Sequence, residues 1–479
     1  MKDARRLPLF RPLEISLIFL SIIIFLFGLL LQHKDILFLA VILSFSGNIM
    51  FLLSDLKKHI VYGMFLVSFF TFLLGGVVCE YLFGYQSNYK FSDAILCHTY
   101  ISLYIALLAL DFGYHFFLKI IKKDQTNVSK NKTDPKRFII QKISRIIFFI
   151  TYIPWIIATI ETVIYVQQKG YISYYTDYHS SLPYVFIQIA NMSAICFYIF
   201  ISTFPEFKSY RVPQYLYLFQ AILGLFTGKR TNIIIPIMII IIYRMLRERE
   251  ERTGQWFHKK MIYILIIITP LLLSFMYTYR YSRVDVDQEN SSFTQTITGF
   301  FEDTGFSVNV ISFEKMYEDN LPEKNYAFGS VIDYARENVV TQMFFDFPVY
   351  SGQTYESAVY RHNFAHTITY VDAPSYYLSG HGYGSSYIAE AYHDFGYLGI
   401  ILFSLIYSCF FAFFSKTQNM GILFTTLSFI ALRAILFAPR GAASQFLADL
   451  INVHSWLVII LIFGFAKLFY QNRKRSSTI

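Results

Sequence analysis

The stretch IIIPIMIIIIYRML, residues 233–246, is apolar at nearly every position. A surface helix of a soluble protein would leave one face polar, and a membrane β-barrel strand would alternate polar and apolar residues. An α-helix satisfies its own backbone hydrogen bonds and rises about 1.5 Å per residue, so roughly 20 apolar residues cross a hydrocarbon core of about 30 Å. The sequence therefore predicts spanning α-helices and excludes a spanning barrel.

The rest of the chain repeats this pattern. Of 479 residues, 55% are hydrophobic and 15% are charged, which is more apolar than one soluble core requires. We predict an all-α integral membrane protein with about twelve transmembrane helices. The predicted spans are residues 13–32, 36–54, 60–83, 94–118, 143–166, 184–204, 214–228, 232–246, 261–279, 386–414, 420–438 and 446–470.

The basic residues indicate the orientation of these spans. The net charge is +9, and most of the Lys and Arg residues lie in the N-terminal tail, in alternate short loops and in the C-terminal tail. A basic excess in short loops marks the cytoplasmic side. We therefore expect a multi-pass protein with both termini in the cytoplasm, and the charge gives no reason to expect nucleic acid as a partner.

Two loops divide the chain into three parts. Residues 1–279 hold nine predicted spans and a polar, basic cytoplasmic loop at 119–137. Residues 280–385 form one large extracytoplasmic loop, and residues 386–479 hold the last three spans and a cytoplasmic tail. Long ordered loops are usually functional, so we expect the large loop to fold on the membrane surface and to contribute to the site.

Several arginines lie where the positive-inside rule does not place them. The hairpin TGKRT, residues 227–231, falls at the outer ends of two spans, and so does APRG, residues 438–441. Charged residues at such positions are costly unless they are paired or serve a substrate. A guanidinium stays charged and donates bidentately to phosphate oxygens. We predict diphosphate-binding arginines at Arg230, Arg283, Arg336, Arg361, Arg433 and Arg440. For Arg230 and Arg440 the alternative is snorkelling to headgroups or pairing with loop carboxylates.

A possible acid/base cluster begins span 10, in GSSYIAEAYHDFGYLGIILFSLIY, residues 384–407. Ser385 or Ser386 can cap this helix. Glu390, His393 and Asp394 follow at spacings i, i+3 and i+4, on one face of its first turns, and His381 lies just before them. We predict Glu390 and His381 as catalytic groups that remove a proton from a sugar hydroxyl, with Arg230 and Arg440 stabilising the leaving group. The alternative is that these polar residues anchor the helix end.

RHNFAHTITY, residues 361–370, places His362 and His366 at i and i+4, a spacing that can hold a metal. The sequence has no HExxH pattern, and both histidines can lie at a wet surface. We expect neither a metal nor a cofactor.

These residues resemble a known family. The segment from Gly384 is similar to the signature of Wzy-type O-antigen and capsule repeat-unit polymerases, and the TGKRT and APRG hairpins look like other arginine motifs of that family. The resemblance implies a membrane glycosyltransferase of the GT-C type. It implies that the growing chain leaves undecaprenyl diphosphate and joins the next lipid-linked oligosaccharide, at the outer face of the bacterial cytoplasmic membrane. It carries Arg230, Glu390 and Arg440 over as site residues.

The partners that this resemblance implies are the lipid-linked oligosaccharide, membrane lipid, a flippase and a chain-length regulator of the same pathway. Two other functions stay open from the residues alone. An O-antigen ligase also cleaves a lipid diphosphate and differs in its acceptor. A flippase or exporter of lipid-linked oligosaccharide would use a central polar cavity, and the scarcity of charges in the first four spans argues against it.

Overall fold

The computed structural model of the chain describes residues 10–84, 89–121, 135–281, 293–415 and 420–476. Every regular element in these residues is a helix. The first eleven are α1 (Phe10–Leu31), α2 (Lys34–Ser54), α3 (Leu56–Phe69), α4 (Gly75–Phe83), α5 (Asp93–Ile120), α6 (Pro135–Lys169), α7 (Ser173–Thr176), α8 (Tyr184–Ser202), α9 (Phe207–Leu225), α10 (Thr231–Glu251) and α11 (Lys259–Tyr281).

Shorter helices fill the predicted large loop, and long ones follow it. The loop holds α12 (Phe293–Thr304), α13 (Ser307–Met316), α14 (Gly329–Glu337), α15 (Val339–Phe344), α16 (Tyr355–Tyr360), α17 (Phe364–Asp372) and α18 (Pro374–Leu378). The chain then forms α19 (Tyr387–Phe414), α20 (Ile422–Phe437), α21 (Gln445–Ile451) and α22 (Val453–Ser476).

The long helices confirm an all-α, multi-pass integral membrane protein. Among the described residues, nine helices are long and apolar enough to cross a membrane, counting α3 and α4 as one. The predicted number of twelve is not confirmed. The other three predicted spans coincide with α9, α10 and α11, but α9 has Lys208 and Arg211 in its first turns and α10 ends in RMLREREE.

The α3–α4 span contains a wider turn. Residues Phe70–Leu74 form a π-helix between the two α-helical parts. Such insertions are rare and often lie at functional sites. This segment packs against the short 3₁₀ turn Ala438–Arg440 that ends α20, so the extra residue of the π turn places Phe72 beside the APRG hairpin.

From the sequence we expected the large loop to fold on the membrane surface, but in the structure part of it lies inside the helical bundle. Its first two helices enter the bundle: α12 packs against α4 and α11, and α13 packs against α5 and α19. The corner between them fits closely, because a Cβ on Gly305 would lie 2.7 Å from the backbone nitrogen of Gly76. The loop therefore contributes side chains to the interior of the helical bundle.

Span 10 also differs from the straight helix that the sequence suggests. The side chain of Ser386 caps α19 by accepting from the N–H of Ile388, which confirms one of the two predicted caps. Gly396 then adopts φ +60° and ψ −153°, a conformation essentially restricted to glycine. A Cβ on Gly399 would lie 2.1 Å from the carbonyl oxygen of Ala391. The first two turns of α19 are thus set at an angle to the rest of the span.

Candidate functional site

Arg230 follows the turn between α9 and α10 and contacts the corner between α12 and α13. Its guanidinium donates to the hydroxyl of Thr304 over 3.1 Å and to a carboxylate oxygen of Asp303 over 3.3 Å. The side chains of Arg230 and Asp303 are 18% and 19% exposed. A charge pair this sheltered is screened less than a surface pair, so the guanidinium is held in a defined orientation.

Arg440 reaches the same residue from the hairpin between α20 and α21. Its guanidinium donates to the backbone carbonyl of Thr304 over 3.2 Å and to the hydroxyl of Ser307 over 3.5 Å. Two arginines that lie far apart in the sequence therefore meet at Thr304. We call Arg230 and Arg440, with Asp303 and Thr304, the arginine pair site.

Each arginine of this site also lies over an aromatic ring. The guanidinium carbon of Arg230 is 5.6 Å from the ring centre of Phe300, and that of Arg440 is 5.9 Å from that of Phe72. A cation over a ring face is attracted by the quadrupole of the ring. The π turn of the α3–α4 span thus helps to place Arg440, because Phe72 lies within it.

Lys229, the other basic residue of the TGKRT hairpin, contacts different groups. Its ammonium lies 4.4 Å from the ring centre of Tyr174 and donates to the hydroxyl of that tyrosine over 3.3 Å. Tyr174 stacks on Tyr178 with ring centres 5.0 Å apart. Aromatic side chains thus line the hairpin. Such rings are also able to pack against the apolar face of a sugar.

The glycine-rich segment before α19 joins the arginine pair site to Glu390. A Cβ on Gly384 would lie 3.8 Å from two atoms of Arg440. The next residue, Ser385, donates its hydroxyl to Glu390 over 2.6 Å, and the N–H of Ala443 donates to the other carboxylate oxygen over 2.8 Å. Glu390 is 1% exposed. Within the described residues, its hydrogen bonds therefore run to Ser385 and Ala443 rather than to an arginine.

The i, i+3, i+4 spacing suggested that Glu390, His393 and Asp394 form one cluster, but in the structure His393 and Asp394 contact other groups. Asp394 accepts from the backbone N–H groups of Tyr326 and Ala327 over 3.1 and 2.8 Å. The Nδ1 atom of His393 lies 3.5 Å from Glu314 on α13, and burial raises the pKa of Glu314. Both residues fasten the loop to α19, because α13 and the segment before α14 pack against that side of the helix.

His381 lies beside the glycine-rich segment and is partly exposed. Its ring stacks on Tyr376 with centres 4.3 Å apart, and its Nδ1 atom is 3.0 Å from the hydroxyl of Ser379. Its carbonyl accepts from the amide of Gln353 over 2.8 Å. These contacts hold His381 within its own loop, separately from the bonds of Glu390.

The other predicted arginines do not join the arginine pair site. Arg361 pairs with Glu337 over 2.9 Å and lies 3.7 Å from Asp333; burial raises the pKa of Glu337. Arg336 is exposed on α14, and Arg433 is exposed on α20. Arg283 lies outside the described residues. Pairing with loop carboxylates, the alternative considered from the sequence for Arg230 and Arg440, thus describes Arg361 and also Arg230, which pairs with Asp303.

Comparison with known proteins identifies the family. The family model of the O-antigen polysaccharide polymerase Wzy matches residues 13–473, which is nearly the whole chain. The chain belongs to the Wzy O-antigen polymerase family. A search of curated proteins and a search of solved structures each found no match. The Wzy resemblance seen in the sequence is therefore confirmed by the family model.

The two histidines that we considered as metal ligands from the sequence have other hydrogen-bond partners in the structure. His366 Nδ1 lies 2.6 Å from the hydroxyl of Tyr377, and His362 Nδ1 lies 3.3 Å from Asp333. Burial lowers the pKa of His366 to about 4, so the ring is neutral at neutral pH. Both histidines therefore act in the packing of the loop.

A different group of metal-ligand type lies within the helices of the described residues. Glu14, Asp111 and His115 bring their ligand atoms within 4.8 Å of one another. Sequence reasoning missed this group because its members are on α1 and α5, which are separated in the chain. His115 is held by Glu14 over 3.0 Å and by Asp111 over 3.3 Å.

Sequence reasoning also missed the groups that hold the two arginines of the Wzy chain. Asp303 and Thr304 lie in a loop with many polar residues, and no spacing rule links them to hairpins 74 or 136 residues away. The available signal was the acidic excess of the loop opposite several arginines. That excess indicates pairing but does not say which carboxylate pairs with which arginine.

Proposed function

We propose that the chain joins oligosaccharide repeat units carried on undecaprenyl diphosphate, at the outer face of the bacterial cytoplasmic membrane. Membership of the Wzy family supports a repeat-unit polymerase in the membrane. The single observation that supports the lipid-diphosphate donor is the meeting of Arg230 and Arg440 at Thr304. The product of each cycle is a polysaccharide, of the O-antigen or capsule class, that is longer by the transferred chain.

The arginine pair site is suited to a diphosphate. Two guanidiniums provide two fixed positive charges and several N–H donors, in a position sheltered from bulk water. Donors that are preorganised for a developing negative charge contribute more there than they would in water. Asp303 keeps Arg230 oriented until the diphosphate arrives, and the phosphate oxygens then share or replace its contacts. No nucleotide sugar is required, since the lipid diphosphate is the leaving group.

The proposed transfer is a balanced displacement. A hydroxyl oxygen of the acceptor sugar attacks the anomeric carbon of the donor chain, and the bond from that carbon to the diphosphate oxygen breaks. The bonding electrons leave with the lipid diphosphate, whose charge Arg230 and Arg440 stabilise. The proton of the attacking hydroxyl passes to Glu390. His381 remains the second candidate for this base, in its position beside the glycine-rich segment.

The hydrogen bonds of Glu390 also support a second role for it. Ser385 and Ala443 connect its carboxylate to both segments that flank Arg440. A buried carboxylate with two such bonds is a strut as well as a proton acceptor. The two roles are separated by measuring the amount of folded protein and the turnover per folded molecule in a Glu390→Gln variant.

The outer face is proposed from the charge distribution of the loops. The acceptor and donor would then be lipid-linked units delivered by a flippase, and a chain-length regulator would act on the growing polymer. Both termini would lie in the cytoplasm.

Purified protein in nanodiscs, supplied with lipid-linked repeat units from the producing strain, tests the proposal. We expect a ladder of polymer on a gel. Arg230→Ala and Arg440→Ala should abolish the ladder while lipid-linked single units remain, and Arg211→Ala should leave it intact. Arg211 is an exposed residue near the opposite end of α9 from the TGKRT hairpin. If the protein transferred the chain to a lipid A core and not to a second repeat unit, the result would contradict the polymerase proposal and support a ligase.

A further inference from the structure

A polar cavity of about 210 Å³ lies beside Glu390. It is bounded by α14, the turn between α16 and α17, the start of α19, and α21. Its walls include Glu337, Arg361, Asn363, Gln445 and Asp449 as well as Glu390. We infer that this cavity binds one uncharged sugar residue, the terminal sugar of the acceptor chain. The inference rests on the proposed function and names the substrate group that Glu390 would deprotonate.

The acidic groups of the cavity outnumber its cations and so disfavour an anion. Four carboxyl groups line it, and the cations that act on them include Arg361 in the wall and Arg433, whose charge reaches Asp449. The carboxylates are Asp333, Glu337, Glu390 and Asp449. A diphosphate or an acidic sugar would add like charge to this set, and like charges at short range repel strongly where water is scarce. A neutral polyhydroxylated ligand can instead donate hydrogen bonds from its hydroxyl groups to the carboxylates.

The polar groups of the cavity are arranged to meet hydroxyls. Gln445 donates to Asp449 over 2.9 Å, and Arg361 donates to Glu337 over 2.9 Å. These bonds leave the carboxylates further lone pairs. The Nε atom of Arg361 is buried and has no hydrogen-bond partner among the described residues; a carboxylate oxygen of Asp333 lies 3.7 Å from it. A ligand hydroxyl can accept from this donor.

The size and place of the cavity agree with a single ring. Its volume is below the about 300–1,000 Å³ of pockets for drug-sized ligands. Glu390 lines the cavity, and the hydrogen bond from Ser385 connects the same carboxylate to the segment beside Arg440. An acceptor sugar in the cavity would thus lie on one side of the base, with the donor diphosphate at the arginine pair site on the other.

The test uses methyl glycosides as probes, with purified protein in detergent and binding measured by saturation-transfer NMR competition. The panel is the methyl glycosides of glucose, galactose, mannose and N-acetylglucosamine, together with methyl glucuronide. We expect at least one neutral glycoside to bind saturably and methyl glucuronide to bind at least tenfold more weakly. In Asp449→Asn and Glu337→Gln proteins, neutral binding should weaken and the discrimination against glucuronide should shrink.

Two features make this result specific to the cavity. A variant that merely unfolds loses both classes of glycoside, whereas the predicted variants change the ratio between them. Glu356→Gln removes an exposed carboxylate of α16 outside the cavity wall and should leave the ratio unchanged. Equal binding of neutral and acidic probes, preference for glucuronide, or no binding of any neutral glycoside would each overturn the inference.

The polymerisation assay separates this inference from the proposed function. Neutral-sugar binding without polymer formation would keep the cavity as a sugar site and remove the polymerase mechanism. Polymer formation with an unchanged acceptor KM in the Asp449→Asn and Glu337→Gln proteins would keep the polymerase and remove the cavity as its acceptor site.

Discussion

Replacing Arg230 by lysine tests whether the guanidinium fork, and not only its charge, serves the arginine pair site. Arg230 donates to Thr304 over 3.1 Å and to Asp303 over 3.3 Å through two different nitrogens. Lysine keeps the charge but concentrates its donors on one atom, so it cannot reproduce both directions. We expect the variant to lose the equivalent of one hydrogen bond to a charged group, about 1.5–3 kcal/mol.

That loss predicts a rate effect of known size. At 1.36 kcal/mol per factor of ten, the polymerisation rate of Arg230→Lys should fall about 10- to 150-fold. Arg230→Ala should fall further, because it also leaves Asp303 sheltered without its cation. The assay is the initial rate of polymer formation in nanodiscs, normalised to folded protein measured by size-exclusion chromatography. Arg211→Lys is the matched control and should keep the normal rate.

A second substitution identifies the source of the effect. In an Asp303→Asn background, the change from arginine to lysine should cost less, because one of the two contacts that distinguish the side chains is already weakened. A normal polymerisation rate for Arg230→Lys would refute the reasoning and leave only a general need for positive charge. An equal cost in both backgrounds would show that Asp303 does not orient the guanidinium.

Three further predictions concern the base, the topology and the loop. Glu390→Gln should lower the turnover per folded molecule at least about 10²-fold if Glu390 is the base; normal turnover with less folded protein would make it a strut only. A cysteine at Asn320 should react with an impermeant maleimide from outside intact cells, and one at Arg249 should react only after permeabilisation; a protected residue 320 would overturn the orientation. Burial lowers the pKa of His366 to about 4, so its stability contribution is full above pH 6.5 and declines towards pH 4; the melting temperature should fall over this range less steeply in His366→Gln, and identical slopes would contradict this assignment.

Local patterns in the sequence were sufficient to predict where the long helices lie. Each of the twelve predicted spans falls on helical segments, because a long apolar run in a membrane leaves the backbone no better way to satisfy its hydrogen bonds. The predicted span 446–470 is nevertheless divided between α21 and α22, and the span 60–83 is interrupted by the π turn. The cap of α19 at Ser386 was also predictable, since a serine before an apolar run is a common helix start. The same local rules did not give the kink at Gly396, where φ is +60°, or the close approach of Gly399 to Ala391.

Contacts across the chain were not available from the pattern. The prediction placed Arg230 and Arg440 together because both hairpins looked misplaced, and the structure shows that they share Thr304. The prediction also included Arg361, whose positive charge is instead used by Glu337 and Asp333. A sequence shows how many charges a loop carries, but the pairing depends on how α12, α13 and α14 pack.

Positive and negative side chains are concentrated in two neighbouring regions, and this separation suits the proposed transfer reaction. Cations dominate where Arg230 and Arg440 meet, and carboxylates dominate in the cavity beside Glu390. A transfer from a lipid diphosphate to a sugar hydroxyl needs this asymmetry, because the leaving group gains negative charge while the acceptor loses a proton. Glu390 is bonded to Ser385 next to the arginines and also lines the cavity. One buried carboxylate therefore links the two regions. Its substitution should lower both the amount of folded protein and the turnover per folded molecule, which the two measurements report separately.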